Sequence, residues 1–394
     1  MRFRMTLLLI SIIALSMLVS TAQEADSGYT VVEVIDLEQL AGPVGTAVFM
    51  NPDGSQYAHF ADRAICLYTL PDNEEEACYD VPEPARPATE TVRWSPDSQY
   101  IAFVDQEALR NFRDSDIQIL DIAAGEIRNL TDDEYDGLFA LQFDDEEATF
   151  GVDYALAWSD DNQLAVLRYP YVDGENEDSI THIVIVDPIT GENTVLVEHD
   201  FDRPFLYFSI AWSGNTIAVG EDTLSPDYGI QSIDLYDSET GDLLEEIPLS
   251  EVMYSVFSVA FSPDEDYIMA YNPLYRRRSL PHENTETELD GMNIISMDDG
   301  SESNLDSEHY VLQAGFAPEG TAIAYVVQNL LNPEESGLYI APAIGEEAEL
   351  VLQMNLPDGT TPLSYTQLMW ASNNTIMIRD NETWNAMLVI LEEN

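Results

Sequence analysis

Arginine is the residue type whose placement is least ordinary in this sequence. The 394-residue chain contains no lysine and carries 74 acidic residues, for a net charge of −60. Against that background Arg276, Arg277 and Arg278 stand side by side in YNPLYRRRSLPHENTETELDG, from Tyr271 to Gly291, with Tyr275 and His282 in the same segment. A guanidinium is a planar fork of donors that fits a carboxylate, phosphate or sulfate, and it stacks on aromatic rings. An imidazole adds a donor whose charge changes near pH 6.5. Arg110, Arg113, Arg168, Arg203 and Arg379 join the set once strands are assigned, because all fall in or beside segments expected to leave one end of the fold. This set is the candidate binding site for an anionic or planar ligand, or for a protein segment. Glu107, Asp114, Glu283 and Glu286 lie close enough in sequence to pair with the same arginines, so local ion pairing stays open as their other use.

Catalytic sets are scarce by comparison. The chain has no G-x-S-x-G elbow, and its five histidines (His59, His182, His199, His282 and His309) have no H-E-x-x-H or other local metal-binding spacing. No catalytic residue and no metal ligand is assigned. Acidic runs such as DGENED from Asp173 and DDGSESNLD from Asp298 lack the alternating oxygen ligands and closing Glu of a calcium loop. They read as solvated loops, with weak calcium binding as the alternative, and no cofactor is expected. Cys66 and Cys78 flank LYTLPDNEEEA symmetrically about Asp72. A hairpin turning at Pro71-Asp72-Asn73 sets them opposite each other, so a disulfide is expected.

Composition narrows the partners. A strongly anionic surface repels nucleic acid and anionic lipid, and neither is expected to bind. Salt adaptation and cation binding both explain the acidity, and composition does not separate them. The first residues read as an export signal: Arg2 and Arg4, an apolar run from Leu7 to Val19, then Ser20-Thr21-Ala22. That run is short of the roughly 20 residues a spanning helix needs, and no cysteine lies near the cleavage point to accept a lipid. The expectation is a signal peptide over 1–22 and one domain over 23–394, secreted, extracellular or periplasmic, where a disulfide persists.

The elements that must position the arginines follow from a repeat. An apolar strand ending in Trp or Phe, a turn, and a second apolar strand recur at Phe49, Trp94, Trp158, Trp212, Phe261, Phe316 and Trp370. These aromatics are spaced roughly 50 residues apart, as propeller blades are. Pro-Asp-Gly, or Asp-Asn and Asn-Asn in its place, supplies turn chemistry that tolerates positive φ. A second hairpin follows each first one, as in DIQILDIAAGEIRNLT from Asp116 and HIVIVDPITGENTVLV from His182. Four strands per unit cannot bury both faces alone, so the units must stack around an axis. The seventh unit has only three strands, and TVVEVIDL, Thr30 to Leu37, is left over at the other end of the chain. Pairing the two closes the ring and removes a free edge. The expected fold is an all-β, seven-bladed propeller of four-stranded antiparallel blades, the N-terminal strand completing the last blade.

WSPDSQYIAF followed by DIQILDIAAGEIRNLT resembles the TolB-like, or WD-repeat-like, propeller repeat. The likeness covers nearly the whole chain after the signal and is best in the second, fifth and sixth units. TolB's preceding α/β domain has no counterpart here. With the placement of the arginines and aromatics, the expectation is a non-catalytic module that binds a protein segment or an acidic saccharide through its arginine- and aromatic-bearing face. Some TolB-like propellers are instead oligogalacturonate lyases that hold a metal through histidines. The resemblance therefore also implies a rival reading, a metal-dependent lyase or hydrolase working on polysaccharide in the funnel.

Overall fold

The structure, a computed structural model, describes residues 28–37, 47–61, 63–83, 85, 87–88, 91–105, 115–132, 149–172, 179–201, 209–220, 232–249, 258–271, 292–305, 310–329, 332–354, 367–372, 374–379 and 386–394. The expected signal segment lies outside them. The strands run in chain order, with β1 (Tyr29–Asp36) standing alone before the first unit. Blade 1 holds β2 (Ala47–Met50), β3 (Gln56–Ala61), β4 (Ala64–Thr69) and β5 (Glu75–Asp80). Blade 2 holds β6 (Arg93–Trp94), β7 (Tyr100–Val104), β8 (Ile117–Asp121) and β9 (Glu126–Asn129). Blade 3 holds β10 (Thr149–Trp158), β11 (Leu164–Val172), β12 (Ser179–Val186) and β13 (Asn193–Phe201). Blade 4 holds β14 (Ser209–Ser213), β15 (Thr216–Gly220), β16 (Ser232–Asp237) and β17 (Leu243–Pro248). Blade 5 holds β18 (Ser258–Phe261), β19 (Tyr267–Tyr271), β20 (Asn293–Ser296) and β21 (Glu302–Asn304). Blade 6 holds β22 (Tyr310–Phe316), β23 (Ile323–Gln328), β24 (Gly337–Ala341) and β25 (Glu349–Gln353). Blade 7 takes β26 (Gln367–Ser372), β27 (Thr375–Arg379) and β28 (Ala386–Glu393) from the end of the chain and β1 from its beginning, in the order β1-β28-β27-β26.

The closing pair is antiparallel from Tyr29 opposite Glu393 to Asp36 opposite Met387, and the Leu37 N–H donates to Ala386 O at 2.8 Å. The seven-bladed ring and its closure are as the sequence predicts. Its core is distributed: seven apolar clusters occupy the seven seams between consecutive blades. Second and third strands have a neighbouring sheet on each side, so β7, β8 and β24 are buried along nearly their whole length. The aromatic before each turn serves the seam, as the Trp94 indole donates to Phe49 O of blade 1 at 3.0 Å. The Trp158 indole likewise donates to Arg93 O of blade 2 at 3.2 Å.

The repeated motif itself encodes turns. In blade 2 the Ser95 hydroxyl donates to Asp97 Oδ1 at 2.7 Å and accepts from the Tyr100 N–H at 2.9 Å, while Ser98 takes φ 59°. Ser159 and Ser262 repeat the arrangement, and Asn51 replaces them in blade 1, where Gly54 has φ 74°. Between third and fourth strands the Gly N–H returns to the carbonyl four residues back, from Gly125 to Asp121, Gly191 to Asp187, Gly241 to Asp237 and Gly300 to Ser296. The Asp298 run is therefore in part a turn, where the Asp299 carboxylate accepts the Ser301 N–H at 2.9 Å. Cys66 and Cys78 face each other across β4 and β5 and are bonded.

Candidate functional site

Antiparallel blades sort the connections to two ends. At one end lie the links from first to second strand and from third to fourth, and the longest of these runs only over 342–348. At the other end lie the links from second to third strand and from blade to blade. These include 105–116, 130–148, 221–231, 272–292 and 354–366. Binding groups in β proteins are carried by such connections while the sheets hold them in place. Arg110, Arg113, Arg203, Tyr275, Arg276, Arg277, Arg278 and His282 all belong to connections of this second kind and lie outside the described residues. The strands that flank these connections are described.

Two arginines of the predicted set are described. Arg168 lies within β11, opposite Asp153 of β10, and not in the connection beyond it. Its Nε donates to Asp153 Oδ1 at 2.7 Å and a terminal nitrogen donates to Oδ2 at 2.9 Å. Asp153 is fully buried, and its Oδ2 also accepts the Thr131 hydroxyl at 2.7 Å. This pairing reaches across a blade seam. The Ser115 hydroxyl donates to Asp153 O at 2.8 Å, and the Asp153 N–H donates to Ser115 O at 3.0 Å, tying blade 2 to the innermost strand of blade 3. Next to Ser115, the buried Asp116 accepts the Asn129 amide at 2.6 Å, and its N–H donates to the buried Asp105 at 3.1 Å. The result is a buried polar layer under the connection end of blades 2 and 3.

Arg379, the last residue of β27, is only 3% exposed, and burial lowers its pKa to about 10. Its charge reaches His59 of β3 across the seam between blades 7 and 1. The His59 imidazole is held below its ordinary pKa first by burial and then by the Arg379 guanidinium. His182 stands next to Arg168 in the row Asp153, Arg168, His182, Glu198 that crosses blade 3. Burial lowers its pKa, Glu198 pulls it up, and Arg168 pushes it down again. His59 and His182 thus sit in different blades, each against an arginine. Among the described residues the one group spaced like metal ligands is Cys66, Glu75 and Cys78, whose two sulfurs are joined in the disulfide.

Sequence reasoning singled out Arg168 and Arg379 but not Asp105, Asp116, Thr131 or Asp153. A signal was present for Asp153, a lone charge in the apolar run TFGVDYALAW with Arg168 at the matching place in the next strand. A charge at such a place is buried by the pleat and needs a partner on the same face.

The family described as Dipeptidyl peptidase IV (DPP IV) N-terminal region matches residues 46–200, which are blades 1 to 3. No curated protein matches the sequence. Among solved structures, hydrazine synthase of Kuenenia stuttgartiensis superposes with a TM-score of 0.56 at 13% identity, over 88% of this chain and 95% of that one. A chain of the mitotic checkpoint complex gives 0.55 at 12% identity, over 95% and 98%. An oligogalacturonate lyase in complex with manganese gives 0.56 at 12% identity, over 92% and 98%. At such identities the likeness is one of architecture, which hosts many unrelated activities. The chain is a β-propeller.

Proposed function

We propose that this protein is an exported, TolB-like binding module whose connection end takes a segment rich in carboxylates, either an acidic saccharide or an acidic stretch of protein. The observation that carries the reading is the asymmetry of the two ends. One end has only short turns fixed by the repeat, while the other has the long connections, which contain eight of the twelve arginines that follow the expected signal. Arg276, Arg277 and Arg278 set three guanidiniums side by side in a chain of net charge −60, a local cluster of donors suited to carboxylates. The residues assigned to this binding role are first Arg276, Arg277 and Arg278, with Tyr275 and His282 in the same segment. Arg110, Arg113 and Arg203, in other connections of the same end, complete the set. Arg168 and Arg379 brace it from beneath, held by burial and, for Arg168, by Asp153.

A second reading is favoured by one comparison, the lyase that carries manganese. A metal-dependent lyase or hydrolase would place its site in the same funnel. Incubation with oligogalacturonate, with and without added manganese, separates the two. The binding module retains the saccharide intact in both conditions, and isothermal titration gives an affinity that falls with salt. Appearance of unsaturated or shortened products that depends on manganese would replace binding by catalysis.

A further inference from the structure

The seam where the ring closes contains a polar feature that the binding surface does not use. Blade 1 presents Val48, Met50 and Tyr57 to this seam, and blade 7 presents Ala371, Met377, Ala386 and Leu388. His59 pairs in register with Val48 on one side and Cys66 on the other, and Arg379 pairs with Ala386. Directly opposed residues share a face of the sheet, so His59 and Arg379 continue the same two facing surfaces towards the connection end. Among the described residues His59 Nε2 is buried without a hydrogen-bond partner, and Arg379 is 3% exposed. The groups around the imidazole are Tyr57 on its own strand, Tyr68 and the Cys66–Cys78 disulfide on the outer strands, and Arg379 across the seam. Tyr68 donates its hydroxyl to Glu75 at 3.1 Å, and Arg63 beyond the end of β3 pairs with Glu83 at 2.9 Å. Those two carboxylates are therefore engaged by other groups, and Arg379 is the charge that acts on His59.

We propose that the closing seam between blades 7 and 1 is a pH-sensitive latch, in which protonation of the half-buried His59 places a second cation opposite Arg379 and loosens the pairing of β1 with β28. A neutral imidazole leaves Nε2 an orphan atom of modest cost. A protonated one makes it a buried charged donor with no acceptor, beside a buried guanidinium. The blade that bears the strain is built from both ends of the described chain, and β1 is held to β28 only by strand pairing and seam contacts. That makes it the unit able to open while the other blades stay folded. The sign follows from the direction of the shift. The folded state holds His59 below its ordinary 6.5, so the contribution to stability is complete above that value and is lost as pH falls through the folded value.

Hydrogen exchange of the full chain, corrected for intrinsic rates, tests the latch between pH 7.0 and 5.5. In the parent protein, protection of the β1 and β28 amides should fall at least threefold, while the amides of blade 4 keep theirs. His59→Gln should hold the loss in β1 and β28 below twofold, and His59→Leu provides the same readout should the amide disturb folding. His182→Gln should behave as the parent, because His182 lies in blade 3, away from the closing seam. Equal loss in all blades, or loss of protection in the His59 variants matching that of the parent, overturns the latch.

Discussion

At the turn end of the propeller the buried polar residues are Asn51, Ser95, Ser159 and Ser262, all uncharged and each closing its own turn within five residues of chain. At the connection end they include Asp105, Asp116 and Asp153, whose partners come from other strands or other blades, and Arg379, which faces His59 across a seam. The difference is one of cost and range. A buried hydroxyl satisfied locally is part of the repeat and can be copied from blade to blade. A buried charge needs partners assembled from distant positions, and removing one partner leaves the other uncompensated. The turn end repeats one device from blade to blade, and the connection end is where that repeat breaks down.

That contrast sets an order of effects for single substitutions, all readable by chemical denaturation. Asp153→Ala should cost most, about 3–5 kcal/mol, because it strands the Arg168 guanidinium, whose side chain is 17% exposed, and releases Thr131. A loss below 1 kcal/mol would show that the connection end holds its charges no more firmly than a surface does. At the turn end, Gly241→Ala should cost about 2 kcal/mol. Gly241 has φ 74°, and an added Cβ would lie 2.3 Å from Leu196 O of the neighbouring blade. Ser95→Ala should cost least, about 1 kcal/mol, since it removes one local cap from a single turn. Should Ser95→Ala exceed Asp153→Ala, the contrast between the ends is reversed.

The same contrast explains what the sequence made legible. Turn chemistry and strand alternation are local, and they recur, so Trp-Ser-Pro-Asp and Asp-x-x-x-Gly announced the blades. The left-over strand at Thr30 and the missing fourth strand of the last unit announced the closure, which the pairing of β1 with β28 bears out. The Cys66–Cys78 bond was legible for the same reason, as symmetry about a turn. Buried partnerships were not. Thr131 and Asp153 are 22 residues apart, one in the connection after blade 2 and the other in the first strand of blade 3, and Arg379 is brought opposite His59 only because the ring closes. No local pattern encodes such pairs. Arg168 shows the limit most clearly: its type and neighbourhood suggested a group offered to a ligand, while register places it against a buried aspartate.

The central claim is that ligand is taken at the connection end and that the turn end is scaffold. Titration of oligogalacturonate into three proteins at one ionic strength tests it most directly. These are the parent chain, Arg276→Ser/Arg277→Ser/Arg278→Ser, and Arg128→Ser, the last altering an arginine that bonds the Pro188 and Ile189 carbonyls of a turn at 2.9 Å. The triple variant should bind at least tenfold more weakly with an unchanged melting temperature, and Arg128→Ser should bind as the parent does. Unchanged binding by the triple variant, or equal weakening by Arg128→Ser, would contradict the assignment of function to the connection end.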